Sequence, residues 1–81
     1  MKNYKQLNNS TMEMQSVSSS NLAAVGYDYD TATLRIEFHK SGLYEYYGVS
    51  ADVYEDLLGA SSKGTYFDQF IKKAGYSYAK V

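Results

Sequence analysis

Apolar and polar positions alternate most cleanly along Leu34-Arg35-Ile36-Glu37-Phe38-His39, a period of two that predicts a strand with one buried face. Val25, Tyr27 and Tyr29 alternate with Gly26 and Asp28 just before it, and the four-residue stretch 30–33 reads as the connecting loop of a hairpin. Pairing Tyr27 with Ile36 and Val25 with Phe38 puts the large apolar groups on one face, which a slip of one residue would expose.

The next stretch, Leu43-Tyr44-Glu45-Tyr46-Tyr47-Gly48-Val49, follows a Lys40-Ser41-Gly42 turn. A two-residue turn would bury the Glu45 carboxylate opposite Ile36, at a cost of several kcal/mol. A three-residue turn with Gly42 left-handed sets Phe38 against Tyr44 and Ile36 against Tyr46, so both tyrosines face the core. That register leaves Glu37 opposite Glu45 on the outer face, with Arg35 diagonal to relieve the repulsion, and puts Leu43, Tyr47 and Val49 on the same side.

Beyond Val49 the period changes. Ser50 is a good N-cap, Asp52 sits in a first turn, and Val53, Tyr54, Leu57 and Leu58 share one helical face up to a terminating, left-handed Gly59. After the connection 60–65, Phe67, Phe70, Ile71 and Ala74 recur at helical spacing until Gly75. Tyr76, Tyr78 and Lys80 alternate with Ser77, Ala79 and Val81 as a last short strand. The pattern therefore predicts an α+β fold: a small antiparallel sheet, a meander of about three strands plus a C-terminal strand, with two short helices on one face. Residues 12–81 read as a single domain and the polar residues 1–11 as a flexible N-terminal extension.

Composition narrows the chemistry. The chain has 81 residues, a size at which one core barely suffices, and its ten Tyr and three Phe must supply much of the buried area. It has no Cys and one histidine, His39, so neither a thiolate nor a histidine-rich metal site is available, and no cofactor is implied. His39 shares a hairpin end with Glu37 and Ser41, but no nucleophile elbow or oxyanion hole accompanies them, and a solvated hairpin histidine is the plainer reading. No catalytic residue is assigned. The net charge of −1 argues against tight non-specific nucleic-acid binding, and no apolar run approaches the length of a membrane span. A cytoplasmic protein is the expectation.

Two stretches carry binding chemistry. Ser61, Ser62, Lys63, Gly64 and Thr65 open the second helix with free N–H groups, hydroxyls, a cation and a glycine that permits close approach, which together suit a phosphate. The same residues also read as plain capping, with Thr65-Tyr66-Phe67-Asp68 a capping-box variant. Ser18-Ser19-Ser20-Asn21 reads as a turn, or with Ser19 and Ser20 as the polar wall of a pocket. Lys72 and Lys73 add positive charge at the far helix end, interleaved with Tyr66, Tyr76 and Tyr78 as rings on which bases can stack. An ordinary solvated face explains the lysines equally well.

The ordered set Met14 to Leu22, Gly26-Tyr27-Asp28, Phe38-His39, Tyr44-Glu45-Tyr46, Gly48-Val49, Val53-Tyr54, Ser61 to Phe67 and Tyr76-Ser77-Tyr78 resembles the KTSC domain, over roughly residues 12–81. That family is found at the C-terminus of some lysyl-tRNA synthetases and as small free-standing bacterial or phage proteins. The resemblance implies no established activity; its synthetase context suggests RNA binding. Family members often carry basic residues around the closing Tyr-x-Tyr, whereas this chain has Asp68 and several neutral positions between Lys72, Lys73 and Lys80, which weakens the RNA expectation. The sequence thus points to a non-catalytic binding module for a phosphate-bearing ligand, RNA or a nucleotide. The alternative is an interaction protein that oligomerises and sequesters a small nucleotide signal or a partner protein. On that alternative, the half-apolar outer face around Tyr47 is a candidate homo-oligomer interface.

Overall fold

The computed structural model describes residues 12–81, so the expected extension 1–11 lies outside the described residues. Five strands, β1 (Gln15–Ser16), β2 (Leu22–Asp28), β3 (Thr33–Phe38), β4 (Gly42–Tyr47) and β5 (Tyr78–Lys80), form one antiparallel sheet in sequence order. Helices α1 (Ala51–Gly59) and α2 (Lys63–Phe70), with a 3₁₀ turn at Lys72–Ala74, are inserted between β4 and β5. The α+β class is as expected, with one strand more: β1 is too short to leave a periodic signal.

Both hairpins keep the expected inward residues but differ from the expected register by two. Val25 pairs with Ile36 and Tyr27 with Leu34, because the chain reverses at 29–32, where Ala32 takes φ 54° and the Asp28 side chain accepts from the Asp30 N–H at 2.9 Å. Ile36 likewise pairs with Tyr44, and Leu34 with Tyr46, the turn being 39–41 with Gly42 at φ 95° behind it. A shift of two leaves every side chain on its face, so burial cannot choose between these registers; turn chemistry does. The result replaces the expected Glu37–Glu45 clash. Glu45 instead lies directly opposite Arg35 and accepts from its Nε at 2.9 Å. A bulge between Leu22 and Ala24 lets Leu22 pair with Phe38 and join the core.

The core lies between the sheet and the helices, where Leu22, Val25, Leu34, Ile36, Val49, Leu57 and Ile71 are fully buried. Each such side chain contributes about 1.5–3 kcal/mol relative to an exposed position. Val49, expected on the outer face, is among them: Gly48 at φ 73° breaks the alternation and turns Val49 inward, where its N–H donates to the Ala32 carbonyl at 3.0 Å.

Ser50 caps α1 by accepting from the Val53 N–H. Gly59 ends α1 without the left-handed turn expected of it; the cap is Ala60, in extended backbone. The second helix is also shorter than its periodicity suggests. It stops at Phe70, and Ile71 enters the core while the chain tightens into the 3₁₀ turn before Gly75 at φ 89°. Phe70, which shares the helical spacing of Phe67 and Ile71, is 54% exposed and lies 4.8 Å from the Tyr66 ring, and Ala74 is exposed as well. Behind the sheet, the segment around Met14 crosses Gly26 so closely that a Cβ there would meet the Met14 sulfur at 2.7 Å and the Glu13 carbonyl at 2.9 Å.

Tyrosines bind the second layer to the first. Tyr27 stacks on Tyr54 of α1 at 4.9 Å and donates its hydroxyl to the Val49 carbonyl. Burial pushes the phenols of Tyr27, Tyr46 and Tyr54 above their usual value, with neighbouring tyrosines adding to each. An unfolded tyrosine releases its proton near about pH 10, before these folded ones do. Their stabilisation is therefore complete below about pH 10 and is lost as pH rises through the folded values. We expect phenolate absorbance and far-UV circular dichroism to change together in one cooperative alkaline transition; a complete phenol titration with the dichroism intact would contradict this account.

Candidate nucleotide-binding clefts

The serine stretch and the start of α2 meet. Gly64 faces the serine turn so closely that a Cβ would lie 3.7 Å from the Asn21 Cβ and 3.9 Å from the Ser19 Oγ. Between the two segments lies a polar cleft of about 490 Å³ bounded by Ser18 to Asn21, Ser61 to Thr65, Asp68 and Gln69. Ser19, Ser20, Ser61, Ser62, Lys63, Gly64 and Thr65, all candidates from the sequence, thus line one space.

Each wall is held by its own hydrogen bonds. Ser19 Oγ accepts from the N–H groups of Asn21 and Leu22, both at 3.2 Å, fixing the turn into β2. The His39 Nε2 lies 2.9 Å from the Ser19 carbonyl, so the imidazole steadies that turn from the neighbouring hairpin. On the other wall, Ser62 is the N-cap, accepting from the Thr65 N–H at 3.3 Å and donating to the Thr65 hydroxyl at 2.9 Å. The Lys63 ammonium folds back onto the Ala60 carbonyl at 3.1 Å. Capping and cleft-lining therefore coexist in the same residues.

A second cleft of about 470 Å³ opens beside the first and shares Asn21 and Asp68 with it. Its lining is aromatic: Phe38, Tyr44, Tyr46, Phe67 and Tyr78, with Ser41 and Lys72 on the rim. Tyr78 is 63% exposed and stacks on Tyr46 at 5.4 Å, while Phe38 meets Tyr44 edge to face at 5.6 Å. The Lys80 ammonium lies 5.9 Å from the centre of the Tyr44 ring.

The remaining sequence candidates are dispersed. Lys73 pairs with Asp68 at 3.2 Å, and only Lys72 of that pair of lysines lines a cleft. Tyr66 leans on Phe70, and Tyr76 is half-buried against the core; neither lines the two clefts. Sequence reasoning had Asn21 in the serine wall but missed Phe38, Tyr44, Tyr46, Phe67, Asp68 and Gln69 as cleft residues. Tyr44 carried a signal: it shares a face with Tyr46 but stands nearer the hairpin tip, where a short helix layer leaves a strand face half-covered. Tyr47, the expected outer ring, is 38% exposed and donates its hydroxyl to Glu45 at 3.1 Å.

The KTSC domain model matches residues 18–78, a range that begins in the serine wall and ends on the aromatic one. The chain belongs to the KTSC domain family. An uncharacterised protein of Stutzerimonas stutzeri is 36% identical over 70 residues, covering 86% of this chain and 99% of that one. A lysine–tRNA ligase of Nostoc punctiforme is 50% identical over 46 residues, 57% of this chain but 8% of the ligase. The crystal structure of a KTSC domain protein from Yersinia pestis superimposes with a TM-score of 0.83 at 38% identity, over 88% of this chain and 99% of that one. Among the described residues of this KTSC domain, no helix is long and apolar enough to cross a membrane.

The space around Gly64 gives a direct test of how the two walls fit. The Cβ distances are ordinary contacts, so Gly64→Ala should stabilise the domain by about 0.4–1 kcal/mol in denaturant unfolding, by restricting the unfolded chain. A loss of stability would mean that the helix and the serine turn sit closer than described.

Proposed function

We propose that this KTSC domain is a non-catalytic binding module for a phosphate-bearing ligand, a nucleotide or RNA. The observation that carries the reading is the continuity of a polar cleft at the α2 start with an aromatic cleft, through the shared residues Asn21 and Asp68. Hydroxyls of the serine turn, the first N–H groups of α2 and Lys63 suit phosphate oxygens, and the neighbouring rings suit a base. The polar cleft also contains the Asp68 carboxylate, whose charge Lys73 offsets at 3.2 Å. Against catalysis stands the engagement of His39 with the Ser19 carbonyl, which gives the imidazole a positioning task in the fold.

A second reading is an interaction protein that oligomerises and sequesters a small nucleotide signal or a partner protein. It is favoured by Phe70, which is more than half exposed on α2 beside Tyr66. A mass corresponding to two or more copies at micromolar concentration, reduced to one copy by Phe70→Ser, is the result expected of it.

For the binding module, Lys63→Ala and Lys63→Gln should each weaken binding of GMP, AMP and a mixed-sequence oligoribonucleotide by a similar factor. A loss of about 1 kcal/mol, roughly fivefold, is the expected size for each. Affinity for the oligoribonucleotide should also fall with added salt. Salt-insensitive binding, or wild-type affinity in both variants, would remove phosphate from the account.

A further inference from the structure

The aromatic cleft carries a more specific message than stacking alone. Its lining includes one carboxylate, Asp68, and one ammonium, Lys72, four residues apart at the end of α2 and so side by side along one wall of the ring-lined space. Of the Asp68 oxygens, Oδ2 is the one that meets the Lys73 ammonium, at 3.2 Å. Lys73 is not among the residues lining the aromatic cleft, and a carboxylate has about four acceptor sites, so both Asp68 oxygens keep lone pairs for an occupant.

Among the bases, this order of charges has one good complement. Guanine offers two adjacent donors, N1–H and the N2 amino group, which a carboxylate accepts side by side. Its O6 and N7 are acceptors that suit an ammonium. Adenine presents an amino donor where guanine has O6, so it would meet Lys72 with like polarity, and its unprotonated N1 would face the carboxylate. Cytosine and uracil present a smaller face to the Tyr78 and Tyr44 rings. The cleft volume of about 470 Å³ is within the range of small-ligand pockets, roughly 300–1,000 Å³. The geometry points to a guanine-selective base pocket: the base lies against Tyr78 and Tyr44, Asp68 accepts from its N1 and N2 donors, and Lys72 donates to O6 or N7.

This inference rests on the nucleotide reading above and adds the identity of the base. Its chemistry has two sources, a free guanine nucleotide and a guanine within a single strand of RNA. A pocket that receives one base accepts either; a requirement for neighbouring nucleotides distinguishes them. Asp68 borders both clefts, so a guanine nucleotide would have its base and its phosphate on opposite sides of one residue.

The test is calorimetric titration of the whole chain with GMP, AMP, inorganic phosphate and a short oligoribonucleotide containing a single guanine, alongside its adenine counterpart. GMP should bind about tenfold or more tightly than AMP, the discrimination ordinarily given by one good bidentate contact to a base edge. Asp68→Asn should erase that preference by weakening GMP alone, with AMP unchanged or tighter because a negative charge has left the phosphate side. Tyr78→Ala should weaken GMP and AMP by a similar factor, as loss of a stacking ring does. A guanine oligonucleotide that binds more tightly than GMP identifies RNA as the source; equal or weaker binding identifies the free nucleotide. Equal affinity for GMP and AMP in the wild type would overturn the base assignment and leave the phosphate-binding reading standing. Binding of neither nucleotide at millimolar concentration would overturn both. Equal loss of GMP and AMP binding in Asp68→Asn, with unchanged thermal unfolding, would overturn the role of Asp68.

Discussion

The Tyr46 ring is held from two sides. Phe67 of α2 meets it edge to face with centroids 5.4 Å apart, and Tyr78 of β5 stacks on it at 5.4 Å with planes 24° apart. Pairs of this kind contribute about 0.5–1.5 kcal/mol each beyond the area they bury. The two contacts come from segments that share no strand pairing with each other. Tyr46 is therefore a residue that the second helix and the last strand both lie against, beside the β4–β5 ladder and the Phe38–Phe67 contact. Both candidate clefts follow from that placement: α2 brings Gly64 and Asp68 to the serine turn, and β5 brings Tyr78 to the open side of Tyr44.

How far the sequence reveals this depends on which physical rule each feature obeys. The direction of Tyr44 and Tyr46 was legible, because burying Glu45 in their place is too costly. The register was not, because pairings two residues apart bury the same set and differ only in turn geometry. Asp28 and Ala32 settle one hairpin and Gly42 closes the other. Val49 was misplaced for a related reason: strict alternation continues only while φ stays negative, and Gly48 interrupts it. The second helix was expected to run to Gly75 and stops at Phe70, because helical spacing fixes a stripe but not the point at which a helix stops.

The cleft residues divide in the same way. The serine turn and the α2 start were visible as polar, cap-forming motifs of high local specificity. Their meeting was not, since it depends on the path of α1, which carries the start of α2 back to the serine turn. Asp68 read as a dilution of positive charge. In three dimensions it is the residue common to the polar and the aromatic spaces, so a single acidic group gives the joined groove a polarity that neither half has alone.

The strands at the two margins of the sheet are its shortest, β1 with two residues and β5 with three. An open margin of paired length invites another chain to add its own strand, and tyrosine-rich sequences of high strand propensity are prone to do so. Each margin thus offers only a few residues of main chain, and β5 ends at the cationic Lys80. Margins this short give an incoming strand little main chain to pair with, which disfavours growth of the sheet from one molecule to the next.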